Sequence, residues 1–293
     1  MPGQKQFNFS KKISSQSISL KFVKISLVMN NQPIGICDSG IGGLTVAKEI
    51  IKQLPYENIV YLGDTARVPY GVRDKETITK FALELIKFLI NKNVKAIVVA
   101  CNTISATCLP ELQKISPVPV IGVIKPTVDE VVNKIKSKII GVIGTRATIN
   151  SRSYETEIKN LSDKTVIFSQ ACPLFVPLAE EGFIDHPSTK IIAEEYLKIF
   201  EGKKIDALIL GCTHYPILKD TIQEVVGKEI KIIDPAIPTT KQLIKLLKEK
   251  NIFGNSQNPT RHFYFTDITP QTEKTINIFF EGKLPGKLEK INL

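Results

Sequence analysis

Cys101 and Cys212 each close a short aliphatic run, and polar residues follow each at once, in Ala100-Cys-Asn-Thr103 and Gly211-Cys-Thr-His-Tyr-Pro216. A free thiol has a pKa of ~8.5, and an imidazolium, hydrogen-bond donors or a helix N-terminus bring it toward neutrality. His214, two residues after Cys212, is placed to do this. Two thiols facing each other across a cleft have a specific use. Inverting a stereocentre by proton transfer needs a base on one face of the carbon and an acid on the other, both in position before the proton moves.

Other polar residues collect where strands should end. One run closes in Asp38-Ser-Gly-Ile-Gly-Gly43 and another in Gly63-Asp-Thr65. Loops of this kind suit an anionic ligand held by backbone N–H groups and hydroxyls. The glycine-rich stretch lacks both the Lys-Ser/Thr ending of a P-loop and the spacing of a dinucleotide fingerprint, so a nucleotide is not expected. Asp38 is a candidate proton shuttle near Cys101, although its charge would raise rather than lower a neighbouring thiol pKa. Cys37, Cys108 and Cys172 read as inert core residues, and His186 and His262 as structural. Cys101, Cys212 and His214 could alternatively form a three-ligand zinc site, but Cys-X-His is not a usual structural-zinc spacing, and no HExxH or paired CxxC accompanies it.

The elements that must position these residues alternate along the chain. Strand-like runs fall at 34–37, 58–62, 96–101, 118–122, 139–143, 165–169, 207–211, 230–234 and 262–266. Helix-period patterns separate them, such as Ile78, Phe81, Leu85 and Leu89, with Asp74 as an N-cap. This is the signature of βαβ units in an α/β protein with mainly parallel sheets flanked by helices. A weak repeat sharpens it. Ala96-Ile-Val-Val-Ala-Cys101 matches Ala207-Leu-Ile-Leu-Gly-Cys212 at an offset of 111, and Ile34-Gly-Ile matches Ile140-Gly-Val at 106. We therefore expect two similar lobes related by a pseudo-two-fold axis, with the site in the cleft between them. The first lobe is read as 29–126 plus 236–293 and the second as 127–235.

Composition excludes several classes. The chain has 293 residues, of which 43% are hydrophobic and 23% charged, which fits a folded protein rather than a disordered one. Its longest apolar runs are about six residues, against the ~20 of a membrane-spanning helix, so no membrane association is expected. The net charge is +10, but residues 1–28 hold five lysines and no acid, which is half of that excess. Elsewhere lysines interleave with glutamates, as in Glu76/Lys80 and Glu84/Lys87, the pattern of a solvated helix face, so no nucleic-acid partner is expected. Residues 1–28 read as a basic disordered leader, or as sequence upstream of a start at Met29. Five cysteines without a CxxC pair or a credible signal peptide point to a reducing compartment and free thiols.

Four motifs in order, Asp38-Ser-Gly-Ile-Gly-Gly43, Gly63-Asp-Thr-Ala-Arg-Val-Pro-Tyr-Gly71, Ala100-Cys-Asn-Thr103 and Gly211-Cys-Thr-His-Tyr-Pro216, resemble those of the cofactor-independent glutamate racemases of the aspartate/glutamate racemase group. The resemblance runs from about residue 34 to the last strand. It implies interconversion of L- and D-glutamate by Cys101 and Cys212, each the base for one enantiomer while the other acts as acid. It implies that Asp38 and His214 assist the nearer thiol. Asp38, Ser39, Tyr70, Gly71, Asn102, Thr103, Thr213 and His214 would form the substrate pocket. The family's acidic residue after its Cys-Pro segment matches Glu180, with Glu181 as the alternative. The resemblance further implies no cofactor and no metal, a cytoplasmic homodimer, and D-glutamate supply for peptidoglycan. Rival readings are a related racemase acting on aspartate, a hydantoin or a malonate, a non-catalytic two-lobed amino-acid-binding protein, and a zinc hydrolase.

Overall fold

In a computed structural model, which describes residues 31–280 and 282–293, the aliphatic runs become parallel strands in two sheets. The first half contains β1 (Ile34–Asp38), α1 (Leu44–Gln53), β2 (Ile59–Gly63), α2 (Lys75–Asn91), β3 (Ala96–Val99), α3 (Asn102–Ile115), β4 (Val120–Gly122) and α4 (Ile124–Asp129). Next come β5 (Ile139–Gly144), α5 (Arg146–Asn150), α6 (Ser153–Leu161), β6 (Val166–Ala171), α7 (Phe175–Glu180), α8 (Pro187–Leu197), β7 (Ala207–Gly211), α9 (Lys219–Val226) and β8 (Lys231–Ile233). The chain closes with α10 (Ala236–Glu249), β9 (Arg261–Phe265), α11 (Pro270–Phe280) and β10 (Lys287–Lys290). The leader read in residues 1–28 lies outside the described residues.

One sheet runs β10-β9-β2-β1-β3-β4 and the other β6-β5-β7-β8. Helices cover the sheets, so the central strands are buried on both faces and need no polar alternation; β1, β2, β3 and β7 are buried along their whole length. The weak sequence repeat is a repeat of register. Ile34 pairs with Ala96 and Ile59 in the first sheet, and Ile140 pairs with Ala207 and Ile167 in the second. The four strands β2-β1-β3-β4 thus correspond to β6-β5-β7-β8, and the thiol-bearing ends of β3 and β7 are equivalent places. Segments 34–122 and 261–290 supply one sheet, and 139–233 the other.

Local chemistry sets the boundaries. Asp74 caps α2 by accepting from the Thr77 N–H at 2.8 Å, and Ile78, Ala82, Leu85, Ile86 and Leu89 line the buried face. The run at 118–122 begins its strand only at Val120, because Pro119 has no N–H to give; its carbonyl accepts from Ile97 N at 2.8 Å. The run at 96–101 stops at Val99, and Cys101 becomes the N-cap of α3, its Sγ 3.5 Å from Ile104 N. β10 was absent from the sequence reading. Its Lys-Leu-Glu-Lys sequence carries the charges that blunt an edge strand and erase the aliphatic signal.

Candidate active site

The carboxyl ends of the two sheets meet, and the segments that follow β1, β2, β3, β5, β6 and β7 enclose one cavity. Its wall includes Ser39, Tyr70, Gly71, Asn102, Thr103, Thr213 and His214 together with both Cys101 and Cys212. The free space is about 20 Å³, room for about one water molecule. Every residue singled out in the sequence for the pocket therefore lines it except Asp38, which lies buried directly behind.

On the first-lobe side, Cys101 Sγ lies 3.4 Å from Ser39 Oγ. Burial pushes its thiol up to about 12, and the Asp38 carboxylate adds to that rise, while Ser39 and the Ile104 N–H at the helix N-terminus pull the other way. Asp38 accepts from Gly40 N at 3.0 Å and from Thr213 Oγ1, across the cleft, at 3.3 Å. Its own pKa is raised, burial outweighing the help of His214 and these donors.

On the second-lobe side, Cys212, His214 and Glu180 form a line. Cys212 Sγ lies 3.8 Å from His214 Nδ1, and His214 Nε2 lies 2.9 Å from Glu180 Oε1. Burial alone would pull the imidazole pKa down, but the Cys212 sulfur and the Glu180 carboxylate outweigh it and hold it up at about 10. Of the two adjacent acids it is Glu180, at the end of α7, whose carboxylate reaches His214, and Glu181 is exposed.

Close backbone approach joins the lobes. A Cβ at Gly42 would stand 2.5 Å from His214 Nδ1, and one at Gly71 would stand 2.6 Å from Thr145 Cβ, so only glycine lets these loops meet. Tyr70 donates to the buried Asp64 carboxylate, which also accepts from Arg67 Nε at 2.6 Å and Thr266 Oγ1 at 2.8 Å, fixing the loop that carries Gly71.

Several wall residues were not singled out in the sequence. Thr145 bonds Thr103 Oγ1 at 3.0 Å across the cleft and Thr148 at 3.0 Å within its own lobe. The repeat could have found it, since the offset of 106 that carries Ile34 to Ile140 carries Ser39 to Thr145. Val68, Pro69 and Val176 also line the cavity and gave no signal beyond ordinary apolar character. Among the described residues no group of three or more His, Cys, Asp or Glu is arranged to hold a metal ion.

A thiol from each of two facing lobes lines one buried cavity, the arrangement that two-sided proton transfer at a carbon would require. The Asp/Glu/Hydantoin racemase family model matches residues 34–243. The glutamate racemase of Chlorobaculum tepidum is 47% identical over 260 residues, covering 88% of this chain and 96% of that protein. Two solved structures align over 90% of this chain and 98% of their own. They are the Francisella tularensis glutamate racemase in complex with D-glutamate, at TM-score 0.85 and 43% identity, and the Bacillus anthracis enzyme, at 0.86 and 38%. The chain belongs to the Asp/Glu/hydantoin racemase family and is a racemase of the isomerase class.

Proposed function

We propose that this protein interconverts L- and D-glutamate, with Cys101 and Cys212 as the two proton-transfer groups. The observation that carries the reading is that the two thiols leave equivalent strand ends of the two lobes and line one cavity. One sulfur, as thiolate, takes the Cα proton and forms the S–H bond as the C–H bond breaks. The other thiol gives its proton to the opposite face, which inverts the centre and leaves the roles exchanged for the reverse reaction.

The substrate's α-ammonium group helps generate the thiolate, because a cation set beside a buried thiol opposes the upward shift that burial imposes. Asn102 Nδ2 is buried in the cavity region with no partner, a donor ready for a substrate carboxylate. Ser39, Thr103 and Thr213 add hydroxyls, and Tyr70 and Gly71 complete the wall. Asp38 serves the Cys101 side and the His214–Glu180 pair the Cys212 side. An amino acid exceeds the space present, so the cavity has to widen for binding. Substrate assays with both glutamate enantiomers, beside aspartate and hydantoins, test the assignment; turnover of another substrate in preference would overturn it.

The working division of the chain is 29–126 with 236–293 as one lobe and 127–235 as the other, supported by sheet membership. Supply of D-glutamate for peptidoglycan in the cytoplasm belongs to the same reading, supported by five free, buried cysteines. Association as a homodimer completes it, and light scattering that showed a monomer at all working concentrations would contradict that part.

A further inference from the structure

Tyr154, in the first turn of α6, is 2% exposed, yet it touches the neighbours of both thiols. Its ring lies against Gly211, where an added Cβ would stand 3.2 Å from Cε2, and Gly211 immediately precedes Cys212. Its hydroxyl crosses to the first lobe and donates to Asn102 Oδ1 at 2.7 Å, and Asn102 immediately follows Cys101.

A second contact fixes that reach. Pro110 has no N–H for the carbonyl four residues earlier in α3, that of Ala106, and Ser153 Oγ donates to this carbonyl at 2.7 Å. The start of α6 is therefore docked on α3 at two adjacent points. Burial pushes the Tyr154 phenol far above its ordinary range, so it stays a protonated donor at any working pH.

A side-chain amide has an acceptor end and a donor end, and a half-turn exchanges them. With Oδ1 taken by Tyr154, the donor end Nδ2 is left buried without a protein partner, on a residue that lines the cavity. The opposite orientation would turn a carbonyl oxygen toward a substrate carboxylate. We propose that Tyr154 is a positioning residue for substrate binding: by engaging Asn102 Oδ1 it presents Nδ2 to the cleft as a fixed donor for a carboxylate of the bound amino acid. This rests on the proposed role of Asn102 in the substrate pocket.

The test is steady-state kinetics in both directions, with melting temperatures, for Tyr154→Phe, Asn102→Ala and the double variant. The expected result for Tyr154→Phe is a KM raised about tenfold, the size of one charge-assisted hydrogen bond, with kcat within about threefold. In the Asn102→Ala background the Tyr154 change should raise KM no further, because it acts through Asn102. An unchanged KM in Tyr154→Phe, or an effect that persists in full without Asn102, would overturn the proposal. An unchanged KM in Asn102→Ala would overturn it too, and would also strike the proposed substrate pocket itself. Asn102→Asp leaves Tyr154 intact and replaces the donor by an oxygen. Calorimetry should find D-glutamate binding weaker in it than in Asn102→Ala, and binding as tight as in the parent would contradict the assigned orientation.

Discussion

His214 Nε2 lies 2.9 Å from Glu180 Oε1, on a helix 34 residues earlier in the chain, while His214 Nδ1 faces the Cys212 sulfur. The imidazole is thus held between an acid and a thiol within one lobe, where its charge can follow that of the sulfur. Glu180→Gln keeps the shape and removes the anion, so the His214 pKa should fall and the imidazolium lose part of its support. We expect kcat/KM to fall about tenfold, equally in both directions because the equilibrium constant of a racemisation is one. A variant as active as the parent would remove Glu180 from the mechanism.

The same pair makes stability depend on pH. His214 titrates near 10 when folded, against ~6.5 when unfolded. A group whose folded pKa is raised contributes its full stability below the unfolded value and loses it as pH rises through the folded one. Urea midpoints for the parent, compared with His214→Asn, should show a difference that is complete below about pH 6.5 and shrinks as pH rises toward 10. A difference that grew with pH would have the wrong sign for this account.

Asp38 separates charge from proton carriage. Its carboxylate raises the Cys101 pKa, so Asp38→Asn should bring that thiol down from about 12. If Asp38 mattered only through its charge, the variant would be faster. The proposed proton carriage is something an amide cannot perform, and on that reading we expect activity to fall about 100-fold. Thiolate absorbance titration with kinetics reads both effects, and a faster variant would refute the carrier role.

Gly42→Ala tests the close approach of the lobes. The new Cβ would stand 2.5 Å from His214 Nδ1 and from Thr213 Oγ1. Overpacking of this kind costs about 1–3 kcal/mol and displaces Thr213 and His214 beside Cys212. Loss of at least 100-fold in kcat/KM is expected, and unimpaired catalysis would show that the lobes need not come this close.

Much of this was legible in the residues because buried parallel strands announce themselves as aliphatic runs and polar residues at their ends stand out. The placement of Cys101 and Cys212 at strand ends that meet in one cavity was readable for that reason, as was Asp38 at the end of its strand, and the repeat even paired the two thiols. β10 was not readable, since an edge strand of Lys-Leu-Glu-Lys looks like a loop. Tyr154 was not readable either. Its role depends on a contact between residues 52 positions apart on different lobes, which no local pattern encodes. Thr145 stood between, visible only to a reader who carried the repeat past the strand into the following loop.

The thiols themselves carry the central claim. Cys101→Ala and Cys212→Ala should each fold as the parent does and each lose racemisation by about 10³-fold or more. On the proposed mechanism each remaining thiol serves one side of Cα, so each variant should exchange the Cα proton of one enantiomer only, and of opposite enantiomers. Exchange of the same enantiomer by both would contradict their placement on opposite faces.

The most direct measurement is circular dichroism of L-glutamate incubated with the metal-free, cofactor-free protein in deuterated water, with deuterium at Cα followed by NMR. The account predicts that the optical signal decays to zero while deuterium enters Cα, with the same outcome from D-glutamate. A folded, reduced protein that left both enantiomers optically unchanged and undeuterated would contradict it.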